Sequence, residues 1–277
     1  MTRVALLEFS SAPCDVQENV ERAVRMVDEA ARKGAELAVL PELWNTGYLA
    51  GPLFRRIAEP IAGPSIAALA GAARRHGLWI LAGSIAESRG AAPHNTSVLL
   101  DARGHVCLVQ RKVHLWSDYE RRWFAAGRGF RTARTPWGRA GIMVCYDGDF
   151  PEVPRLLACQ GATILFHPAA YSLHGKRDWG LLYPSWARAN AVYLLGVNHV
   201  GREPGSHARA DWPRGLTFFG GSRVLGPRGD VVFESRSRTA KVHLVDIDFR
   251  MTKTFRALRS EVLGDRRPAE YGALVHR

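Results

Sequence analysis

The chain has 277 residues, long enough for one large α/β domain or two small ones, and no apolar run approaches bilayer length, which excludes a helical membrane span. Its net charge of +12 invites a nucleic-acid reading, but the basic residues are spread from Arg3 to Arg277. Residues 128–139 come nearest to a basic stripe, so the charge reads as a solvated arginine-rich surface with weak steering of anionic substrates and no nucleic-acid partner.

Residues 4–9 form the first strand; the stretch 1–13 is too short in apolar residues and too quickly polar for a signal peptide. Residues 15–33 carry Val16, Val20, Ala23, Val24, Val27, Ala30 and Ala31 at helical spacing and stop at Gly34. A buried strand over 36–40 ends at Pro41. A second helix is predicted at 65–76 and a strand at 78–84. Residues 96–101 and 105–113 read as antiparallel strands joined by a turn at 102–104. The apolar run 141–144 stops at Cys145; polar turn residues follow, then a helix start at Pro151 and Glu152, a stop at Gly161 and a strand over 162–166. A helix over 184–191, a strand over 193–198, strands over 218–225 and 230–234 joined by the turn 226–229, and a last strand over 241–248 complete the pattern. The units 4–40 and 141–166 have the same strand–helix–strand shape. Together these elements predict an α/β fold of two mixed sheets packed face to face with helices outside, a four-layer α-β-β-α sandwich. Residues 1–250 form one domain and 251–277, with little apolar patterning, a C-terminal arm on a neighbouring subunit or a frayed tail.

Three predicted strands end at an ionisable group: Glu42 after Pro41, Lys112, and Cys145. Loops at strand ends gather the chemistry of α/β folds. A thiol on a tight turn facing a helix N-terminus is placed to be a nucleophile, and the local pattern equally permits a packed structural cysteine. A strand-end Glu or Lys alone is ordinarily just solvated. Together with Cys145, Glu42 and Lys112 supply a base, a cation and a nucleophile for acyl transfer. Cys14, Cys107, Cys145 and Cys159 contain no C-x-x-C pair, which points to free thiols in a reducing cytoplasm. His114, His167, His199 and His207 lie scattered on loops and strand ends without metal-site spacing, so no metal is expected.

The segments PELWNTGY, RKVHLW and CYDGDFPE, in this order, resemble the Glu, Lys and Cys motifs of the nitrilase, or carbon–nitrogen hydrolase, superfamily, as do GAELAVLPEL and GGSRVLGPRGDVV. The resemblance covers residues 4–248. It implies that Cys145 attacks an amide carbonyl, that Glu42 serves as general base and acid, and that Lys112 stabilises the oxyanion with the Tyr146 N–H as second donor. DYERRWFAAG resembles a further motif and gives Glu120 the role of positioning Lys112 and substrate; an exposed carboxylate beside Arg121 and Arg122 is the alternative. The loop after His167 is the implied recognition region, with Tyr171 and Trp179 as substrate contacts. Lys176 or Arg177 could there anchor a substrate carboxylate, although solvated loop charges are the plainer reading. Two departures stand out: Ala189 replaces the usual acidic residue beside Asn190, and Glu8 replaces an amide in the first strand.

The resemblance implies a cofactor-free hydrolase of non-peptide carbon–nitrogen bonds in small linear amides, working through a Cys thioester. The CYD context ranks amides first, N-carbamoyl amino acids or amines second and nitriles third. A non-catalytic small-molecule binding protein on the same fold is the reading of another class. A homodimer or higher homo-oligomer is expected, again by resemblance.

Overall fold

Alternate residues of β1 (Thr2–Glu8) point into two different cores: Val4 and Leu6 into one, Ala5 and Leu7 into the other. All four are fully buried, and this two-sided burial marks a strand inside a layered fold. The computed structural model describes residues 1–205, 215–258 and 261–274. His207 and the side chain of Val262 lie outside the described residues. In chain order the α-helices are α1 (Val16–Arg32), α2 (Phe54–Ile57), α3 (Pro64–His76), α4 (Ser117–Trp123), α5 (Glu152–Cys159), α6 (Lys176–Asn190), α7 (Met251–Leu258) and α8 (Glu261–Gly264). The remaining strands are β2 (Leu37–Val39), β3 (Trp79–Glu87), β4 (His94–Leu100), β5 (Val106–Arg111), β6 (Thr132–Thr135), β7 (Gly138–Ile142), β8 (Ile164–Ala169), β9 (Tyr193–Asn198), β10 (Val200–Glu203), β11 (Leu216–Phe219), β12 (Arg223–Leu225), β13 (Val231–Glu234) and β14 (Lys241–Ile247).

Two six-stranded mixed sheets result, ordered β14-β1-β2-β3-β4-β5 and β13-β12-β9-β8-β7-β6. The central strands of each, β1-β2-β3 and β7-β8-β9, are parallel and linked through helices, while the edges are antiparallel. Leu6, Val39 and Leu81 of the first sheet share one core with Ile142, Phe166 and Leu195 of the second. Each such buried side chain contributes about 1.5–3 kcal/mol. The outer face of the first sheet packs Leu7, Leu40 and Ile80 against Ala23 and Val27 of α1 and Leu69 of α3. Outside the second sheet, Leu157 of α5 and Tyr183 of α6 cover the opposite face, packing against Gly141 and Gly196, giving the α-β-β-α order.

The helix ends follow local chemistry. The Asp15 carboxylate caps α1 by accepting the Glu18 N–H at 3.0 Å, and Pro64 opens α3. Three segments differ from the sequence reading. Residues 218–225 are two strands in different sheets, β11 and β12, divided at Gly220 and Gly221. Helix α6 starts at Lys176 and carries Pro184 inside, so much of the loop predicted after His167 is helical, and His167 itself lies within β8. Residues 251–258, predicted without apolar pattern, form α7, which buries Thr252 and Phe255. Its Arg256 guanidinium donates to the carbonyls of Ala191, Ala162 and Asn190 at 3.0, 2.6 and 3.2 Å. Among the described residues no helix is long and apolar enough to cross a membrane.

Candidate active site

The base follows β2. Leu40 still pairs with β3 through Leu81 O at 3.0 Å, then Pro41 turns the chain out. Gly83 makes this turn possible: a Cβ there would stand 1.9 Å from the Pro41 carbonyl oxygen. The turn delivers Glu42 to a fully buried position. One of its oxygens, Oε1, accepts from Lys112 Nζ and Asn95 Nδ2, both at 2.8 Å. The other, Oε2, is buried without a hydrogen-bond partner. A buried carboxylate oxygen left open is costly unless it awaits a proton or a ligand. His199 fixes the backbone from behind: its ring nitrogens contact the carbonyls of Glu42 and Phe9.

Lys112 is the first residue after β5, and its N–H donates to Asn95 O at 2.8 Å. Its ammonium is fully buried between Glu42 and Glu120, reaching Glu120 Oε1 at 2.7 Å. Burial works against that charge, but Glu120, Glu42 and Cys145 together outweigh it and hold the ammonium well above its usual range. Glu120, on α4, is fully buried too; it also accepts from the Tyr48 hydroxyl at 3.0 Å and the Trp116 N–H at 2.7 Å. Burial raises its carboxyl, Lys112 pulls it back, and Glu42 raises it again.

Cys145 opens the 3-10 turn Cys145–Asp149, separated from the end of β7 by two residues, and has φ of +47°, a left-handed conformation that a non-glycine residue holds only under constraint. Two residues supply the constraint. Asp147, fully buried, accepts the Val144 N–H with one oxygen at 3.1 Å. Its other oxygen accepts the Val113 and His114 N–H groups at 3.1 and 2.9 Å and faces His114 Nδ1 at 2.9 Å. Asp147 thus ties the Lys112 loop to the Cys145 turn. His167 contacts the Cys145 carbonyl through Nε2 at 2.7 Å and the Tyr183 hydroxyl through Nδ1. Burial drives His167 down to about 3, so it is a neutral ring whose Nε2–H donates. The thiol is pushed well above its ordinary range by burial first and Glu42 next, while Lys112 and the Ala170 N–H act in the opposite sense. This balance favours the neutral thiol, with Glu42 opposing the thiolate and Lys112 favouring it. Tyr146 is next in the same turn, where the first N–H groups have no partner within the helix.

Cys145 lies at a cavity of about 460 Å³ walled by Tyr48, Trp116, Tyr146, Asp149, Tyr171 and Asp178, among others. Of the expected substrate contacts, Tyr146 and Tyr171 line it. Trp179 does not: it is buried behind Tyr171, with Nε1 donating to Gly221 O at 2.9 Å. Lys176 and Arg177 are also absent from the lining; Lys176 Nζ stands 5.9 Å over the Phe219 ring. The lining instead holds two carboxylates that sequence reading passed over. Asp149 accepts the Tyr171 hydroxyl and is raised by burial, with Asp178 adding to the rise. Glu8, the departure in the first strand, is a buried clasp between the sheets, accepting from Ser222 N, Ser222 Oγ and Ser235 Oγ. Asn190 is buried in α6, donating to Trp186 O at 2.9 Å. Among the described residues no three His, Cys, Asp or Glu side chains gather in a way that could hold a metal ion.

The Carbon-nitrogen hydrolase family profile matches residues 3–257. The N-carbamoylputrescine amidase of Arabidopsis thaliana is 30% identical over 98% of this chain and 94% of its own. An omega-amidase of Xenopus tropicalis is 29% identical over 89% of this chain and 88% of its own. A mutant of the amidase from Nesterenkonia sp. AN1, solved with the acetamide moiety of fluoroacetamide added covalently at its active site cysteine, is 27% identical and superposes with a TM-score of 0.85 over 99% of this chain and 97% of that one. With that match spanning nearly the whole chain, and two mixed sheets presenting Glu42, Lys112 and Cys145 together, this chain belongs to the carbon–nitrogen hydrolase family of the nitrilase superfamily, hydrolases of non-peptide carbon–nitrogen bonds.

Proposed function

We propose that the chain is a thiol amidase acting on small linear carboxamides through a thioester on Cys145. The observation that carries this reading is the divided Glu42 carboxylate: Oε1 is held by Lys112 and Asn95, Oε2 is buried and open, and the Glu42 charge acts on the Cys145 thiol and raises it. Oε2 takes the Sγ proton as sulfur bonds to the amide carbon. The carbonyl oxygen becomes an oxyanion, met by Lys112 Nζ and the Tyr146 N–H. As the C–N bond breaks, Glu42 returns the proton to nitrogen, and ammonia or an amine leaves. Water, deprotonated by Glu42, then attacks the thioester; the acid is released and the thiol regains its proton. Glu120 holds Lys112 in place through this cycle.

The walls discriminate among substrates. Asp149 and Asp178 face the cavity, and its described lining holds no Lys or Arg. Coulomb repulsion disfavours a carboxylate-tailed amide there, so the favoured acyl group is neutral or cationic. The same observation supports a second reading, an N-carbamoyl amine whose distant ammonium meets these carboxylates, as the name of the Arabidopsis relative suggests. The assay is release of ammonia from a panel of primary amides, N-carbamoyl amines and nitriles. Ammonia from neutral amides is the expected result; ammonia together with carbon dioxide marks the carbamoyl reading; ammonia from nitriles but not amides overturns both. We place the enzyme in a reducing cytoplasm as a homo-oligomer, with residues 251–277 following the hydrolase domain at a subunit interface; the free thiols support the first part.

A further inference from the structure

A second concavity, of about 440 Å³, lies apart from the catalytic cavity and shares no lining residue with it. Its wall is β5, the start of β4 and the segment 126–131. It gathers four guanidinium groups, Arg89, Arg111, Arg128 and Arg131, with His94 beside them. Arg128 and Arg131 open the basic run that stood out in the sequence and that the amidase reading leaves without a role.

The four arginines are not equivalent. Arg111 is locked to Glu87 by two hydrogen bonds of 2.7 and 2.6 Å, and Glu87 also accepts the Thr96 hydroxyl at 2.7 Å. That pair is neutral overall. Among the described residues no carboxylate pairs with Arg89, Arg128 or Arg131, so three positive charges face one groove with no acid to balance them. A bound anion would balance them, and guanidinium forks match phosphate oxygens two at a time. The neighbouring His94 registers the field: burial lowers it most, and Arg111 and Arg89 push it lower, against the opposite pull of the Ala125 backbone and Glu87.

The groove is also built rather than incidental. Gln110 Nε2 donates to Gly129 O at 3.0 Å and to Arg111 O at 2.9 Å, pinning the loop to β5. The Gly127 N–H donates to Lys112 O at 2.7 Å. Gly127 permits this approach, because a Cβ would lie 2.3 Å from the Arg111 carbonyl oxygen. Arg128 therefore leaves a loop held against the strand that immediately precedes the catalytic lysine.

We propose that this groove is a second, non-catalytic site for a small molecule bearing consecutive phosphoryl groups, the chemistry shared by inorganic tripolyphosphate and nucleoside triphosphates. Three unbalanced guanidiniums answer the three or more negative charges of such a group, and the volume falls within the range of small-molecule sites.

Isothermal titration calorimetry of the full chain at about 0.15 M salt, where long-range surface attraction is screened, tests this with tripolyphosphate, ATP and adenosine. Tripolyphosphate and ATP are expected to bind and adenosine is not. Tighter binding of ATP identifies a nucleotide as the ligand; equal binding identifies the free polyphosphate. The triple variant Arg89→Gln, Arg128→Gln, Arg131→Gln is expected to weaken binding about 100-fold or more, since each lost phosphate contact is charge-assisted. Its melting temperature and amide hydrolysis are expected to match the wild type, because all three side chains are exposed and none touches the catalytic cavity. The matching triple arginine-to-lysine variant is expected to recover part of the affinity. Absence of binding by tripolyphosphate and ATP, or equal binding by wild type and the glutamine variant, overturns the proposal. Neither result depends on whether the chain hydrolyses amides.

Discussion

Glu203 offers a test of the electrostatics around the catalytic pocket. The residue ends β10, is 1% exposed, and accepts the Leu49 N–H at 2.6 Å and the Tyr48 N–H at 2.9 Å, holding the loop whose Tyr48 reaches Glu120. Burial raises its carboxyl from 4.5 to about 7, the two N–H groups only partly opposing the rise. The folded chain therefore binds this proton more tightly than the unfolded chain does. Its contribution to stability is fully present below 4.5 and is lost as pH rises through about 7. At about 1.4 kcal/mol per pH unit the loss amounts to about 3 kcal/mol. Glu203→Gln removes the titration while keeping size and one acceptor oxygen. Urea unfolding followed by tryptophan fluorescence, across this pH range, is expected to give wild-type stability that falls relative to the variant by that amount between the two limits. Curves that stay parallel would refute the reasoning.

Three further outcomes are expected. Asp147→Asn sets an amide NH2 against backbone N–H donors; it is expected to cost about 2–3 kcal/mol in urea unfolding. By shifting Lys112 relative to Cys145 it is also expected to lower kcat/KM about 100-fold, and native kinetics in that variant would contradict the clamp. Alkylation of Cys145 by iodoacetamide is expected to accelerate with pH beyond 9.0, since the thiol is held above that value; a rate plateau below about pH 8 would reveal a preformed thiolate. Asp178→Lys is expected to raise KM for carbamoyl amines and lower it for carboxylate-tailed amides about two- to fivefold, the range of an exposed charge pair, and unchanged selectivity would remove Asp178 from the specificity of the site.

The layered fold was legible because its signals are local. A short apolar run marked β1, helical spacing with a Gly stop marked α1, and the paired units around Glu42 and Cys145 declared the two parallel centres. Residues 218–225 read as one strand because the apolar pattern runs on through Gly220 and Gly221, and only pairing partners reveal the change of sheet. Helix α6 was shortened because Pro184 looks like a start, whereas the preceding turns are set by packing of Trp179 and Tyr183 against the second sheet. The motif residues of the site were visible as strand ends. Asn95, His167 and the clamp role of Asp147 were not, since each acts through a contact distant in sequence: Asn95 with Glu42, His167 with the Cys145 carbonyl, Asp147 with Val113 and His114. The D of CYD and the H of RK-x-HL were present as a clue, for their fixed places beside Cys145 and Lys112 are explained by their contact. Trp179 was misleading in the opposite way; an aromatic in the recognition region became part of the wall's support, while Asp149 and Asp178 took the surface.

The central claim is that Cys145 carries the acyl group. Rapid-quench intact-mass measurement of the full chain during turnover of a small primary amide tests it most directly. The account predicts a transient mass increase equal to the acyl group, mapped to the peptide holding Cys145 and absent from Cys145→Ala, which still binds the amide. Sustained turnover by Cys145→Ala, or an acyl group mapped elsewhere, would contradict it.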